Sequence, residues 1–202
     1  DFVFHGGSGS SVEEIREEAF LNCYRLYEVV NYSSYITIQP GTETNGSIAK
    51  YVINSDNDKV NFTKNGDFLF GYDKGEAYLL EYLGDETSIT LPSSFTVEGV
   101  TGKVSKYKIN TRAFYGSQLK NVIIPSSVIS IGEKAFENSY QLESVTIQGT
   151  NLLEIKNEAF QNCNRLKTIE NLDMSSVVDC TDMFMGCTSL QKITFVGTSV
   201  PN

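Results

Sequence analysis

IGEKAFENSYQLESV, residues 131–145, and IKNEAFQNCNRLKTI, residues 155–169, are one pattern written twice. Ile131, Ala135, Ser139 and Leu142 are spaced 4, 4 and 3 residues apart, and so are Ile155, Ala159, Cys163 and Leu166. Near the N-terminus Ile15, Ala19, Cys23 and Leu26 repeat that spacing. Such spacing predicts one apolar stripe along a helical segment. Beyond the leucine the period drops to two, with Val145 and Ile147 alternating with Ser144, Thr146 and Gln148. A short β-strand is expected there.

The phenylalanine of an Ala-Phe pair anchors each unit. It occurs as Phe20, Phe114, Phe136 and Phe160, with Met183-Phe184 as a variant, at separations of 94, 22, 24 and 24 residues. A unit of one helical turn and one strand cannot bury its apolar stripe alone, whereas stacking it on a copy builds a continuous core. The repetition therefore predicts a solenoid, with parallel strands on one face and helical turns on the other. Ala, Ser and Cys are small because the backbone of the next coil lies close. Cys163 and Cys187 share one repeat position and read as stacked core thiols, a disulfide between them being the less favoured alternative. Cys180 belongs to a different position in its unit.

The 94-position gap from Phe20 to Phe114 carries no further Ala-Phe signature. Within it Phe68, Phe70 and Tyr72, the turn DKGE, and Tyr78, Leu80 and Tyr82 predict a β-hairpin. Its aromatic residues admit two readings, a binding platform or packing against a neighbour, and packing is favoured because both strand faces carry apolar residues. TSITLPSS at 87–94 parallels NVIIPSS at 121–127, so the repeat resumes there, with 11 extra residues around TVEGVTGKVSK.

The pattern I-x-x-x-A-F-x-x-C-x-x-L-x-x-V-x-I resembles the BspA-like, Treponema-type leucine-rich repeat, and IPSSV at 124–128 followed by ISIGEKAF resembles the loop between its units. The unit from Met174 is similar to a Met-Phe variant of that repeat, matched at Val177, Met183, Phe184, Cys187 and Leu190, with Asp179 in place of the aliphatic at Ile131 and Ile155. The fold class so implied is α/β: a leucine-rich-repeat solenoid, one short helical turn and one short parallel strand per unit, interrupted by a β-hairpin-rich insert. The expected layout is a flexible tail over 1–12, a first repeat unit over 13–38, a β-rich insert over 39–86, and the solenoid over 87–202 in the same domain as 13–38. A chain ending at TSVPN without a cap suggests part of a longer array. What the resemblance implies for function is a secreted or surface protein of bacteria that adheres to host or bacterial surface proteins. A spacer or stalk within a larger surface protein is the alternative.

Composition narrows the chemistry. Sixteen Lys and Arg against 25 Asp and Glu give a net charge of −9, which repels a phosphate backbone, so no nucleic-acid partner is expected. No apolar run approaches the ~20 residues of a membrane-spanning helix, and a signal peptide is expected to be absent or already removed. His5, in a Gly/Ser-rich stretch, is the single histidine of the sequence. Histidine-based catalysis and ordinary zinc sites thus lack their key residue, no pair of carboxylates stands out for glycoside hydrolysis, and no enzyme activity and no cofactor are expected. Asn54, Asp56 and Asp58 have the start of a calcium-loop spacing, but Lys59 replaces the required glycine and Asn65 the final glutamate, leaving a polar turn. Asn31, Asn45 and Asn61 head glycosylation sequons, a short pattern common by chance. Glu13, Glu14, Glu17 and Glu18 suit the start of a helical unit without any ligand.

The candidate partner-binding surface follows from strand alternation. With Val145 and Ile147 pointing inward, Ser144 and Thr146 face out, and the repeat carries the same register to Asn121 and Ile123, Thr168 and Glu170, and Lys192 and Thr194. These eight residues are expected to form two columns that meet a protein partner on a host or bacterial surface.

Overall fold

The computed structural model describes residues 2–4, 19–20, 23, 26–32, 38, 49–53, 60–173 and 181–197. His5, the acidic cluster at 13–18, Asn45, the Asn54–Asp58 turn, Val177, Asp179 and Cys180 lie outside the described residues. The chain divides into two units, Asp1–Val60 and Asn61–Asn202.

In the first unit β1 (Phe2–Phe4), β2 (Glu28–Asn31) and β3 (Tyr51–Ile53) form a parallel sheet in that order. Val29 pairs with Val52, one repeat length further on. Its small core is Val29, Ile38 and Ala49, with Phe20, Leu26 and Val52 packed against it. Phe2–Phe4, inside the segment expected to be a tail, runs as β1. Ala19 and Cys23 are exposed, so the buried stripe expected over Ile15, Ala19, Cys23 and Leu26 does not form at those two positions.

The second unit is a solenoid of two sheets. Its strands are β4 (Asn61–Asn65), β5 (Phe68–Asp73), β6 (Glu76–Tyr82), β7 (Ser88–Thr90), β8 (Tyr107–Ile109), β9 (Asn121–Ile124), β10 (Val128–Ile131), β11 (Ser144–Ile147), β12 (Glu154–Ile155), β13 (Thr168–Asp173) and β14 (Lys192–Val196). The front sheet, in the order β14-β13-β11-β9-β7, is parallel throughout. The back sheet has the order β12-β10-β8-β6-β5-β4. It is parallel from β12 to β6 and then antiparallel through the β5–β6 hairpin that the sequence predicts. Ile131 and Ile155, assigned by spacing to a helical stripe, instead end back-sheet strands, Ile131 pairing with Ile109 of the coil before and with Ile155 of the coil after.

Two sheets and tight turns make each coil, and among the described residues none is helical. The α component of the expected fold class is therefore corrected. Each phenylalanine turn of this unit carries two residues in the left-handed region, four positions apart: Arg112 and Gly116, Lys134 and Asn138, Glu158 and Asn162, Asp182 and Gly186, all at φ between 52° and 76°. A left-handed residue every fourth position ends any right-handed helix before it propagates. The backbone then alternates its partners. Ala135, Glu137 and Ser139 N–H groups bond three residues back, to Gly132, Lys134 and Phe136, while those of Lys134, Phe136 and Asn138 reach Asn157, Ala159 and Gln161 of the next coil at 2.8–3.2 Å. Every amide in the turn finds a carbonyl, half within the coil and half between coils. The spacing of 4, 4 and 3 still marks buried positions: Ile131, Ala135, Ser139 and Leu142 are all buried.

The core sits between the sheets and the turns. Val122, Val145 and Ile169 enter it from the front, and Leu79, Ile109, Ile131 and Ile155 from the back. Along the turn side Phe114, Phe136, Phe160 and Phe184 stack, with ring centroids 4.7, 5.2 and 5.8 Å apart. The hairpin joins the same core through Phe70, which stacks on Phe95 at 3.8 Å and meets Tyr107 edge-on at 5.1 Å. Packing, not a platform, is the role of that aromatic residue.

Candidate functional site

The outer face of the front sheet collects the residues singled out by alternation. Asn121, Ser144, Thr168 and Lys192 are paired strand to strand, and Ile123, Thr146 and Glu170 likewise, with inward Val122, Val145, Ile169 and Ile193 between the two columns. Asn121, Glu170 and Lys192 are exposed, while Ile123, Ser144, Thr146, Thr168 and Thr194 are partly so.

Thr194 departs from the expected column. Ile169 pairs with Ile193 but Leu172 pairs with Phe195, so β13 holds one residue more than β14 at that point. Asn171, at φ 62°, absorbs it. This β-bulge breaks the regular pairing that would set Glu170 beside Thr194. At the other end the columns run one strand further than expected, because Ser88 and Thr90 of β7 pair with Asn121 and Ile123 and both are exposed. The likeness of TSITLPSS to NVIIPSS is the sequence signal for that extension.

The columns are internally bonded. Asn121 Nδ2 donates to Ser88 Oγ at 2.9 Å, and Ser144 Oγ donates to Asn121 Oδ1 at 2.7 Å. One row outward, Lys167 Nζ meets Glu143 Oε2 at 2.7 Å. The hydrogen bond from Lys167 and its charge hold the Glu143 carboxyl below the usual range. Hydroxyl and amide groups with one exposed carboxylate and one exposed ammonium can offer hydrogen bonds and ion pairs.

The outer face of the back sheet carries a second polar row. Lys108 Nζ bonds Glu76 Oε1 at 2.8 Å and Tyr78 OH at 3.4 Å, and Ser130 Oγ donates to Glu154 Oε2 at 3.1 Å. The bond to Glu76 raises the Lys108 pKa against burial, which lowers it. Among the described residues no group of His, Cys, Asp and Glu is arranged to hold a metal ion, and no helix is long and apolar enough to cross a membrane.

A family model described as BspA type leucine rich repeat region matches residues 8–68 and 107–200 in six copies. Among solved structures the chain is similar to a leucine-rich repeat protein from Bacteroides capillosus, at 30% identity and a TM-score of 0.58, over 68% of this chain and 99% of that one. It is also similar to a leucine rich cell surface protein from Faecalibacterium prausnitzii, at 25% identity and a TM-score of 0.53, over 69% of this chain and 44% of that one. No protein of curated function matches. Repeat spacing, parallel coils and the matched residues together place this chain in the BspA-type leucine-rich-repeat family.

Proposed function

We propose that this chain is a non-catalytic binding module, displayed outside a bacterial cell, that presents the outer face of the front sheet to a protein on a host or bacterial surface. The observation that carries this reading is the pair of outward columns, held in register from β7 to β13 by a rigid parallel sheet. Family membership and likeness to a leucine rich cell surface protein support the surface location and the adhesive role. Five strands at ~4.8 Å spacing give a ribbon ~19 Å across, room for an extended segment or the edge of an interface but less than a standard protein contact. A single module binds weakly, and avidity at a crowded surface supplies the rest.

The test applies Glu170→Lys, Lys192→Glu and Ile123→Asp together to the full chain and measures attachment to host-protein and bacterial-surface arrays alongside thermal melting. At least ~10-fold weaker attachment with an unchanged melt is expected, since each ~1.4 kcal/mol lost is tenfold in affinity. Attachment that survives these changes and disappears when Tyr78 and Tyr82 are altered places the binding face on the hairpin and rejects the front sheet. A spacer role is the second reading, favoured by the hydrogen bonds that already occupy Ser88, Asn121 and Ser144. Absence of any attachment by the unaltered chain selects it.

A further inference from the structure

Ser117, Ser139, Cys163 and Cys187 occupy the same place in four successive coils, just after the Phe turn. Ser139 Oγ donates to Phe114 O at 2.8 Å, Cys163 Sγ to Phe136 O at 3.1 Å and Cys187 Sγ to Phe160 O at 3.1 Å. Each side chain thus leans back by one coil to satisfy a buried carbonyl, and the three share one placement. Leaning back brings successive members into touch, as the 3.0 Å separation of Ser117 Oγ and Ser139 Oγ shows. Cys163 and Cys187 stand in that same relation.

Backbone bonds fix the spacing beneath them. Phe160 N–H reaches Met183 O at 3.0 Å and Asn162 N–H reaches Met185 O at 2.7 Å, immediately before the two cysteines. Coils bonded in this way lie ~4.8 Å apart, inside the ~4.4–6.8 Å between Cα atoms that a disulfide spans. Both thiols are free, Cys163 fully buried and Cys187 partly exposed. Interaction with the neighbouring Cys163 side chain holds the Cys187 thiol below its ordinary range. The same neighbour, with burial, pushes Cys163 above its own.

We propose that Cys163 and Cys187 form an inter-coil dithiol that closes to a disulfide on meeting a low-molecular-weight disulfide, with Cys187 attacking and Cys163 resolving. In the first step Cys187 gives its proton to solvent, and its thiolate attacks one sulfur of the reagent. A mixed disulfide forms and one thiolate leaves, taking up a proton. In the second step the Cys163 sulfur attacks Cys187 Sγ, breaking the mixed disulfide, and the Cys163 proton passes to the departing thiolate, which leaves as the second thiol. The protein loses two hydrogens and the reagent is reduced to two thiols. Only Cys187, the partly exposed residue, meets the reagent, and the buried Cys163 acts solely on its neighbour.

The test incubates the folded full chain with oxidised glutathione, quenches with acid and an alkylating agent, and maps peptides by mass spectrometry without reduction. A peptide pair joined through Cys163 and Cys187 is expected in the unaltered chain. C163S is expected to accumulate a stable glutathione adduct on Cys187, and C187S to leave Cys163 unmodified. Serine already fills this position as Ser139, so both variants retain a donor to the Phe carbonyl, and circular dichroism checks their fold. A lasting adduct on Cys187 of the unaltered chain, linkage of Cys187 to Cys23 or Cys180, or no reaction at either thiol overturns the proposal.

Discussion

Gly132 shows how closely successive coils approach. A Cβ there would lie 2.6 Å from Thr111 N and 2.7 Å from both Asn110 C and Ile109 O, all of them backbone atoms of the coil before. Gly132→Ala therefore forces two coils apart, and a loss of ~1–3 kcal/mol in denaturant melts is expected. Tyr107 makes a second residue-scale prediction. Burial raises its pKa above the ordinary value, and its hydroxyl donates to Pro92 O at 2.8 Å. Its folded pKa exceeds its unfolded one, so the native state keeps the proton longer and this contribution is whole below pH ~10 and lost as pH rises beyond it. Tyr107→Phe is expected to flatten the alkaline fall in stability while costing ~1 kcal/mol at neutral pH, both read from melts across pH. Cys23 is exposed and Cys163 buried, so an alkylating agent is expected to label Cys23 in the native chain and Cys163 only after unfolding. The sequence showed that 163 is a small core position. It did not distinguish Cys23, because the 4, 4, 3 spacing around it is the same and only its neighbours differ.

At the scale of the element, the Ala-Phe turn is held by its left-handed residues and by the ring stack above it. Phe160 lies between Phe136 and Phe184 at 5.2 and 5.8 Å and is fully buried. Phe160→Ala leaves a cavity in the middle of the stack, with an expected loss of ~3–5 kcal/mol in denaturant melts. Asn162 sits at φ 58° and donates to Asn138 Oδ1 at 3.0 Å. Asn162→Val puts a β-branched side chain in the left-handed region and removes that bond, so ~2–3 kcal/mol is expected to be lost, with Asn162→Gly recovering part of it. These positions were the legible sign against a helix: Gly116, Asn138, Asn162 and Gly186 recur at one place, and Gly and Asn are the residues that tolerate φ above zero. The apolar spacing alone concealed the turn, because a chain bent twice in four residues buries every fourth side chain much as a helix does. The hairpin was legible from its alternation and its DKGE turn. The back sheet was not, since its strands are as short as EI and their neighbours come from other coils.

For the second unit as a whole, the repeat length in the sequence was enough to give stacked coils and the register of the front face from Asn121 to Thr168, while the bulge at Asn171 needed the local backbone. The hydrogen bonds between its turns all run from one coil to the next, and the ring stack runs the same way. Tension applied across successive coils loads this ladder one rung set at a time, so the mechanical answer is peeling and not collective rupture. Each coil freed between Phe136 and Phe160 releases 24 residues, which extend by about 80 Å at ~3.3–3.6 Å per residue. Single-molecule pulling on residues 61–202 is expected to give a sawtooth of small, similar steps near that length, and one large event would show the coils yielding together. A stack built this way lengthens under load coil by coil.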